Sequence, residues 1–300
     1  MNANQDRNGM IYTSSAYILW GFLPIYWKLL DHVSPGETLA HRIIWSFVFT
    51  FLLVLIMRKW SDFTKEWKEL LHNKKKLFGI SLATLVISLN WLIFIWAVNS
   101  NHVVQASLGY YINPLISILL GIIVLKEAFT FRQTISFILA GIGVLYLTIS
   151  YGVFPWVSLL LAISFGLYGL LKKKVDIGPM IGLTIETMLI LPFAIIYLAI
   201  YPDNAFQLHE FFSSTNLLLM GAGVMTAIPL LLFASGAKRI SLAMVGFLQY
   251  IAPTLMLLLG VFIYKEAFTS AHLIAFAFIW IALVNFMLTS YRRPLRKKHV

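Results

Sequence analysis

The 300-residue sequence contains no cysteine, which excludes a disulfide framework, a thiolate zinc site and an iron–sulfur cluster. Charge is scarce: 12% of residues are Asp, Glu, Lys or Arg, against 60% hydrophobic, where soluble domains carry about 25% charged and about 45–50% apolar residues. A water-soluble globule of this length cannot hide so much apolar surface, whereas lipid solvates it. The 12 acidic residues form no carboxylate-rich cluster of the kind that holds Mg²⁺ for prenyl transfer. There is no Gly-x4-Gly-Lys-Ser/Thr loop for ATP, no metal-ligand spacing among the seven histidines, and no Gly-x-Ser-x-Gly elbow. The reading is therefore no metal, no cofactor, no catalytic residue and no enzyme.

What the chain has is apolar runs. Segments of about 20 mostly apolar residues, the length that crosses a bilayer core, fall at 10–29, 36–57, 77–98, 103–125, 131–150, 153–173, 180–200, 215–236, 241–264 and 271–290. They predict an all-α polytopic membrane protein of ten transmembrane helices, since an open strand edge goes unsatisfied in lipid. The polar stretch Met1 to Gly9 lacks a small-residue cleavage site after a short apolar core, so it does not read as a cleaved signal peptide.

Lys and Arg outnumber the acids, 23 to 12. With the N-terminus in the cytoplasm, 20 of the 23 fall on the inner side and only Lys28, Arg42 and Lys265 do not. This is the positive-inside asymmetry, so the basic charge is a topology signal and nucleic acid is not an expected partner. In the longest inner segment, 58–76, Phe63, Trp67, Leu70 and Leu71 share one helical face. The pattern predicts a short amphipathic helix on the membrane surface, capped by Ser61 or Asp62; the plainer reading is a basic topogenic loop.

The chain also repeats itself. Asn113-Pro114-(x)6-Gly121-(x)4-Lys126-Glu127-Ala128-Phe129-Thr130 recurs as Ala252-Pro253-(x)6-Gly260-(x)4-Lys265-Glu266-Ala267-Phe268-Thr269, 139 positions on without a gap. Phe94 and Phe233, and Tyr111 and Tyr250, keep that offset, while Trp20-Gly21 and Ser34-Pro35 echo weakly as Phe165-Gly166 and Gly178-Pro179. Residues 1–150 and 151–300 thus read as duplicated five-helix halves. Five is odd, so the second half is inverted relative to the first, the arrangement of many secondary transporters. The two Lys-Glu pentads then lie on opposite faces, where their expected task is structural: capping a helix end or pairing across a turn.

These repeats resemble the EamA domains of the drug/metabolite transporter superfamily. The segments Trp20-Gly21-Phe22-Leu23-Pro24-Ile25-Tyr26-Trp27-Lys28, Glu37-(x)3-His41-Arg42-Ile43-Ile44-Trp45-Ser46, Asn90-Trp91-(x)4-Trp96-Ala97-Val98-Asn99 and Ser107-Leu108-Gly109-Tyr110-Tyr111-Ile112-Asn113-Pro114-Leu115 are similar to its RarD-type members. The resemblance covers nearly the whole chain. It implies ten helices, cytoplasmic N- and C-termini, a bacterial cell (inner) membrane, and export or exchange of small metabolites.

Site candidates follow from depth. Asn113-Pro114 and Tyr250 to Pro253 fall about 15 Å into their spans, near the bilayer midplane. Proline frees a backbone carbonyl and kinks a helix, and such groups are useful at midplane beside a cavity. Tyr110, Tyr111, Asn113, Gln249 and Tyr250 are the substrate-pocket candidates, with Pro114 and Pro253 as helix kinks; the alternative is polar bonding between helices. Asn90 and Trp91 are further pocket candidates, whereas Trp27 and Trp96, near span ends, read as interface anchors. His41, Arg42 and Glu186 are gate or coupling candidates, since charge at membrane depth faces a cavity or a partner. Glu186 is the candidate proton carrier, because burial penalises a charged carboxyl. Arg42 and Glu186 enter from opposite faces, leaving about 12 Å between them along the membrane normal, so no salt bridge between them is expected. The function expected is secondary-active, alternating-access transport of a small polar or amphipathic organic solute, amino-acid-like or drug-like, with lipids and protons as further partners. The alternatives are a channel-like facilitator or, further off, a non-transporting membrane protein or a membrane-embedded enzyme.

Overall fold

The computed structural model describes residues 3–99, 103–152, 154–201, 204–265 and 269–291. Twelve α-helices follow one another: α1 (Ala3–Lys28), α2 (Pro35–Ile56), α3 (Trp60–His72), α4 (Lys74–Asn99), α5 (Val103–Ile123), α6 (Phe131–Ser150), α7 (Trp156–Lys174), α8 (Pro179–Ile200), α9 (Ser214–Ala237), α10 (Leu242–Gln249), α11 (Ile251–Phe262) and α12 (Ser270–Tyr291), with a single 3-10 turn at Leu208–Glu210 before α9. No strand occurs among the described residues. Among the described residues eight helical segments are long and apolar enough to cross a membrane, the α10–α11 pair counting as one. Of the ten apolar runs, 10–29 lies in α1, which is rich in Tyr, Trp, Ser and Thr, and 103–125 corresponds to α5, whose apolar stretch Leu108–Ile123 is shorter. Large apolar side chains such as Ile56, Phe78, Phe131, Ile149, Phe193 and Ile200 are exposed around the bundle. So wide an apolar surface belongs in lipid.

Local chemistry sets the helix ends. Ser34, Ser213 and Ser241 accept hydrogen bonds from backbone N–H groups of α2, α9 and α10, and Thr130 with Gln133 forms a capping box on α6. The two prolines at corresponding positions act differently. α5 runs through Pro114 as one helix, whereas the second span breaks at Tyr250, whose N–H bonds Phe247 O at 3.3 Å. Pro253 lacks the N–H that would bond the carbonyl of Gln249. The inner amphipathic segment does form a helix, but neither Ser61 nor Asp62 caps it: α3 begins at Trp60, and Asp62 pairs instead with Lys59 at 2.9 Å. Phe63 and Leu70 pack on Val54, Ile80, Ile177 and Ile181, so this face meets protein.

Packing between the halves is reciprocal. α1 packs on α9 and α11, α7 packs on α4 and α5, and α2–α8, α5–α10 and α6–α12 meet as pairs. The reciprocity reaches single atoms. A Cβ on Gly21 of α1 would come 2.7 Å from Leu255, and a Cβ on Gly166 of α7 would come 2.9 Å from Ile116. Leu255 and Ile116 are themselves 139 positions apart. Trp20 and Phe165, the repeat mates beside those glycines, touch edge to face at 5.9 Å. They join Tyr17, Tyr168 and Phe233 in an aromatic core.

The bundle has two unlike ends. One carries the lysines that close α7, together with Lys238 and Glu127. The other carries the α1–α2 and α8–α9 connections. Gly9 of α1 abuts Arg239 and Ile240 at the lysine-rich end, while Lys28 stands over the Tyr264 ring, beside Lys265, at the far end of the same helix.

Candidate functional site

At the lysine-rich end, Lys172, Lys173 and Lys238 are each held by a carboxylate or a backbone carbonyl. Lys172 Nζ bonds Glu186 Oε1 at 2.8 Å with both side chains buried, and the Tyr168 hydroxyl donates to Glu186 Oε2 at 3.1 Å. Lys173 donates to the Ile240 carbonyl and lies 3.7 Å from Glu127, and Lys238 donates to the Ile177 carbonyl. Glu127, the acid of the first pentad, caps α10: its carboxylate accepts from Leu242 N at 2.6 Å and Ala243 N at 2.9 Å. Two features of the repeat make this possible. Lys126 adopts a left-handed conformation, φ 51°, that turns the chain back. Gly121 leaves the space, since a Cβ there would stand 2.6 Å from the Glu127 carboxylate. Lys265 repeats the left-handed turn with φ 58°; Glu266, Ala267 and Phe268 lie outside the described residues.

The opposite end is built around Arg42. Its Nε donates to Thr226 Oγ1 of α9 at 3.0 Å, and that hydroxyl in turn donates to Ala222 O at 2.7 Å. The guanidinium lies 4.7 Å from the Trp27 ring of α1 and 5.6 Å from the Trp91 ring of α4. Tyr110 of α5 stands within electrostatic reach. Five helices thus converge on one cation, between aromatic faces. Tyr110 nevertheless keeps 38% of its surface exposed. No carboxylate pairs with Arg42 among the described residues. The buried Glu37, nearby on the same helix, spends Oε1 on the backbone N–H groups of Ala205 at 2.7 Å and Phe206 at 3.1 Å. His41 stacks on Phe206 at 4.9 Å, and its Nε2 is 3.8 Å from Glu37.

The structure sorts the residues singled out from the sequence into three groups. Arg42, Trp91 and Tyr110 come together, joined by Trp27, which the sequence suggested as an interface anchor, and by Thr226, which it did not single out. Tyr111, Asn113, Gln249 and Tyr250 are buried around the α5–α10 contact and line no open hollow here. Helix α10 comes this close because residue 246 is glycine: a Cβ there would be 2.7 Å from Pro114 O. Ser117 donates to Gln249 Oε1 at 3.4 Å, while Asn113 Oδ1 and the Tyr250 hydroxyl are buried without a hydrogen-bond partner. Asn90 is committed between helices, donating to Leu161 O at 2.9 Å and Ser164 Oγ at 2.8 Å. Glu186, the proton-carrier candidate, is the acid of an ion pair with Lys172, and among the described residues no salt bridge joins it to Arg42, as expected. A cavity of about 700 Å³ lies at the Arg42 end, lined by Asp31, His32, Glu37 and Asn204 among others.

The echo between the halves connects the two ends. The offset of 145 that aligns Trp20 with Phe165 carries Trp27 onto Lys172, and the offset of 144 that aligns Ser34 with Gly178 carries Arg42 onto Glu186. Positions aligned by these offsets therefore hold Arg42 against Trp27 and Glu186 against Lys172. Applying the two offsets together would have pointed to Trp27 and Lys172 from the sequence.

Comparison with known proteins agrees with this architecture. The EamA-like transporter family model matches residues 7–149 and again 155–288. The chain is 47% identical over 288 residues to the uncharacterized transporter YojE of Bacillus subtilis, covering 95% of each chain. It is 44% identical over 289 residues to the protein RarD of Escherichia coli, covering 96% of each, and 30% identical over 292 residues to the chloramphenicol-sensitive protein RarD of Pseudomonas aeruginosa, covering 97% of this chain and 96% of that one. A solved crystal structure at 18% identity superposes with a TM-score of 0.73 over 95% of this chain and 98% of the other, a likeness of fold. This polytopic, all-helical chain belongs to the EamA-like transporter family, as a RarD-type member.

Proposed function

We propose that the protein is a secondary-active transporter that exports or exchanges a small polar or amphipathic organic solute by alternating access. In this reading ten spans form two inverted five-helix halves in a bacterial inner membrane, with both termini and the lysine-rich end in the cytoplasm. The observation that carries it is the contrast between the ends: ion pairs and backbone clamps hold the lysine-rich end, while at the other end a cavity of about 700 Å³ opens and Arg42 has no carboxylate partner among the described residues. That is the outward-open member of an alternating pair. The buried, unpartnered Asn113 Oδ1 and Tyr250 hydroxyl supply groups whose partners belong to another state or to the solute. Proton coupling loses its main support, because the charge of Glu186 is balanced by Lys172.

The test is reconstitution in proteoliposomes with a panel of labelled metabolites. The transporter reading predicts saturable uptake that is accelerated by unlabelled solute preloaded on the far side. Flux without such exchange, at turnover far above the ~10³ s⁻¹ upper range of ordinary turnover numbers, favours the facilitator. Absence of flux for every solute that binds removes the reading.

A further inference from the structure

We propose that Arg42, held among aromatic rings, binds a carboxylate of the carried solute, whose apolar or aromatic body lies against Trp27 and Trp91. This rests on the transporter reading and names the chemistry of its solute.

A guanidinium at membrane depth is costly unless a charge or a set of hydrogen bonds compensates it. Here Thr226 takes one N–H, and the hydroxyl's own proton is spent on Ala222 O, which pins the Nε edge. Among the described residues Nη1 and Nη2 have no hydrogen-bond partner. They leave a planar pair of donors, the geometry that matches a carboxylate with two parallel hydrogen bonds. The one acid nearby on the same helix, Glu37, is occupied by the Ala205 and Phe206 amides. The equivalent place in the other half satisfies its charge internally, with Lys172 on Glu186. At Arg42 no counter-charge is present among the described residues, and the carried solute would bring it.

The surroundings narrow the class. One cation balances one negative charge, so a monocarboxylate fits where phosphate would bring surplus negative charge into a low-dielectric site. The Trp27 and Trp91 rings flank the guanidinium within 6 Å, and the partly exposed Tyr110 stands beside them. Such walls suit an apolar or aromatic body next to the charged group.

The experiment compares acids with their own amides on purified protein in detergent. Thermal stabilisation is measured with phenylacetate, 3-phenylpropionate and N-acetylphenylalanine, with the matching primary amides, and with inorganic phosphate. The acids should raise the melting temperature saturably, with apparent affinities at least tenfold above the amides and above phosphate. Arg42→Gln should lose the acid response at least tenfold, and Arg42→Lys should keep part of it. Equal binding of acids and amides, preference for phosphate, no response to any acid, or an acid response untouched in Arg42→Gln would each overturn the inference. The acid–amide comparison on the unaltered protein needs no variant, so a variant that fails to fold does not block the test. Binding of acids without flux in liposomes would remove the transporter reading and leave this site standing. Flux of neutral solutes with acids and amides binding equally would do the reverse.

Discussion

Arg42 and Glu186 occupy equivalent places in the two halves and have opposite fates. Glu186 is buried under an ammonium and a phenol and holds the lysine-rich end of α7 to α8. Arg42 leans on two indoles and one hydroxyl, with no acid to answer it among the described residues. The first arrangement completes itself within the chain. In the reading proposed above, the second is completed by the carried solute, and a difference of two side chains at aligned positions separates a clamp from a site.

The largest expected effect separates a clamp from a site. Lys172→Ala strands a buried carboxylate and should cost about 3–5 kcal/mol of stability in detergent, most of it recovered by adding Glu186→Gln. Arg42→Gln removes a cation with no ion-pair partner and should leave stability unchanged or slightly raised. Equal losses for the two would erase the distinction. Next in size are the glycines that seat the opposite half. Gly21→Ala and Gly166→Ala each force a Cβ into a neighbouring side chain and should cost about 1–3 kcal/mol apiece, by similar amounts if the halves are equivalent; melting curves that differ widely would weaken the symmetry. Glu127→Ala removes the cap of α10 and should cost about 1–2 kcal/mol, read by the same melts. The smallest effect concerns α3. The Lys76 ammonium, hydrogen-bonded to Glu69, holds that exposed carboxyl below its ordinary range. Its contribution is present above the unfolded value and fades as pH falls through the folded one, so Glu69→Gln should flatten the acid limb of the stability profile slightly.

The apolar runs and the skewed lysines made the class of the molecule legible, because lipid depth and positive-inside bias are one-dimensional signals. The Gly-x4-Lys-Glu motif also read correctly as a span-end structure, though only the coordinates show that Gly121 clears room for Glu127 to reach Leu242 and Ala243. The recess was half legible. Arg42, Trp91 and Tyr110 stood out individually, but they lie on different helices and nothing local joins them. Trp27 resembled an interface anchor, which is the commoner use of a tryptophan near a span end. Depth alone did not show that Asn113 and Tyr250 lie buried where α10 packs closely on α5 at Gly246.

The account depends on the two Lys-Glu turns facing opposite sides of the membrane. A chain without cysteine makes the test clean: Lys126→Cys and Lys265→Cys, both exposed positions on left-handed turns, are probed with a membrane-impermeant maleimide on intact and on opened cells. The account predicts that Cys labelling at position 265 occurs in intact cells and at position 126 only after opening. Labelling of both from the same side would contradict the inverted halves and the alternating mechanism built on them.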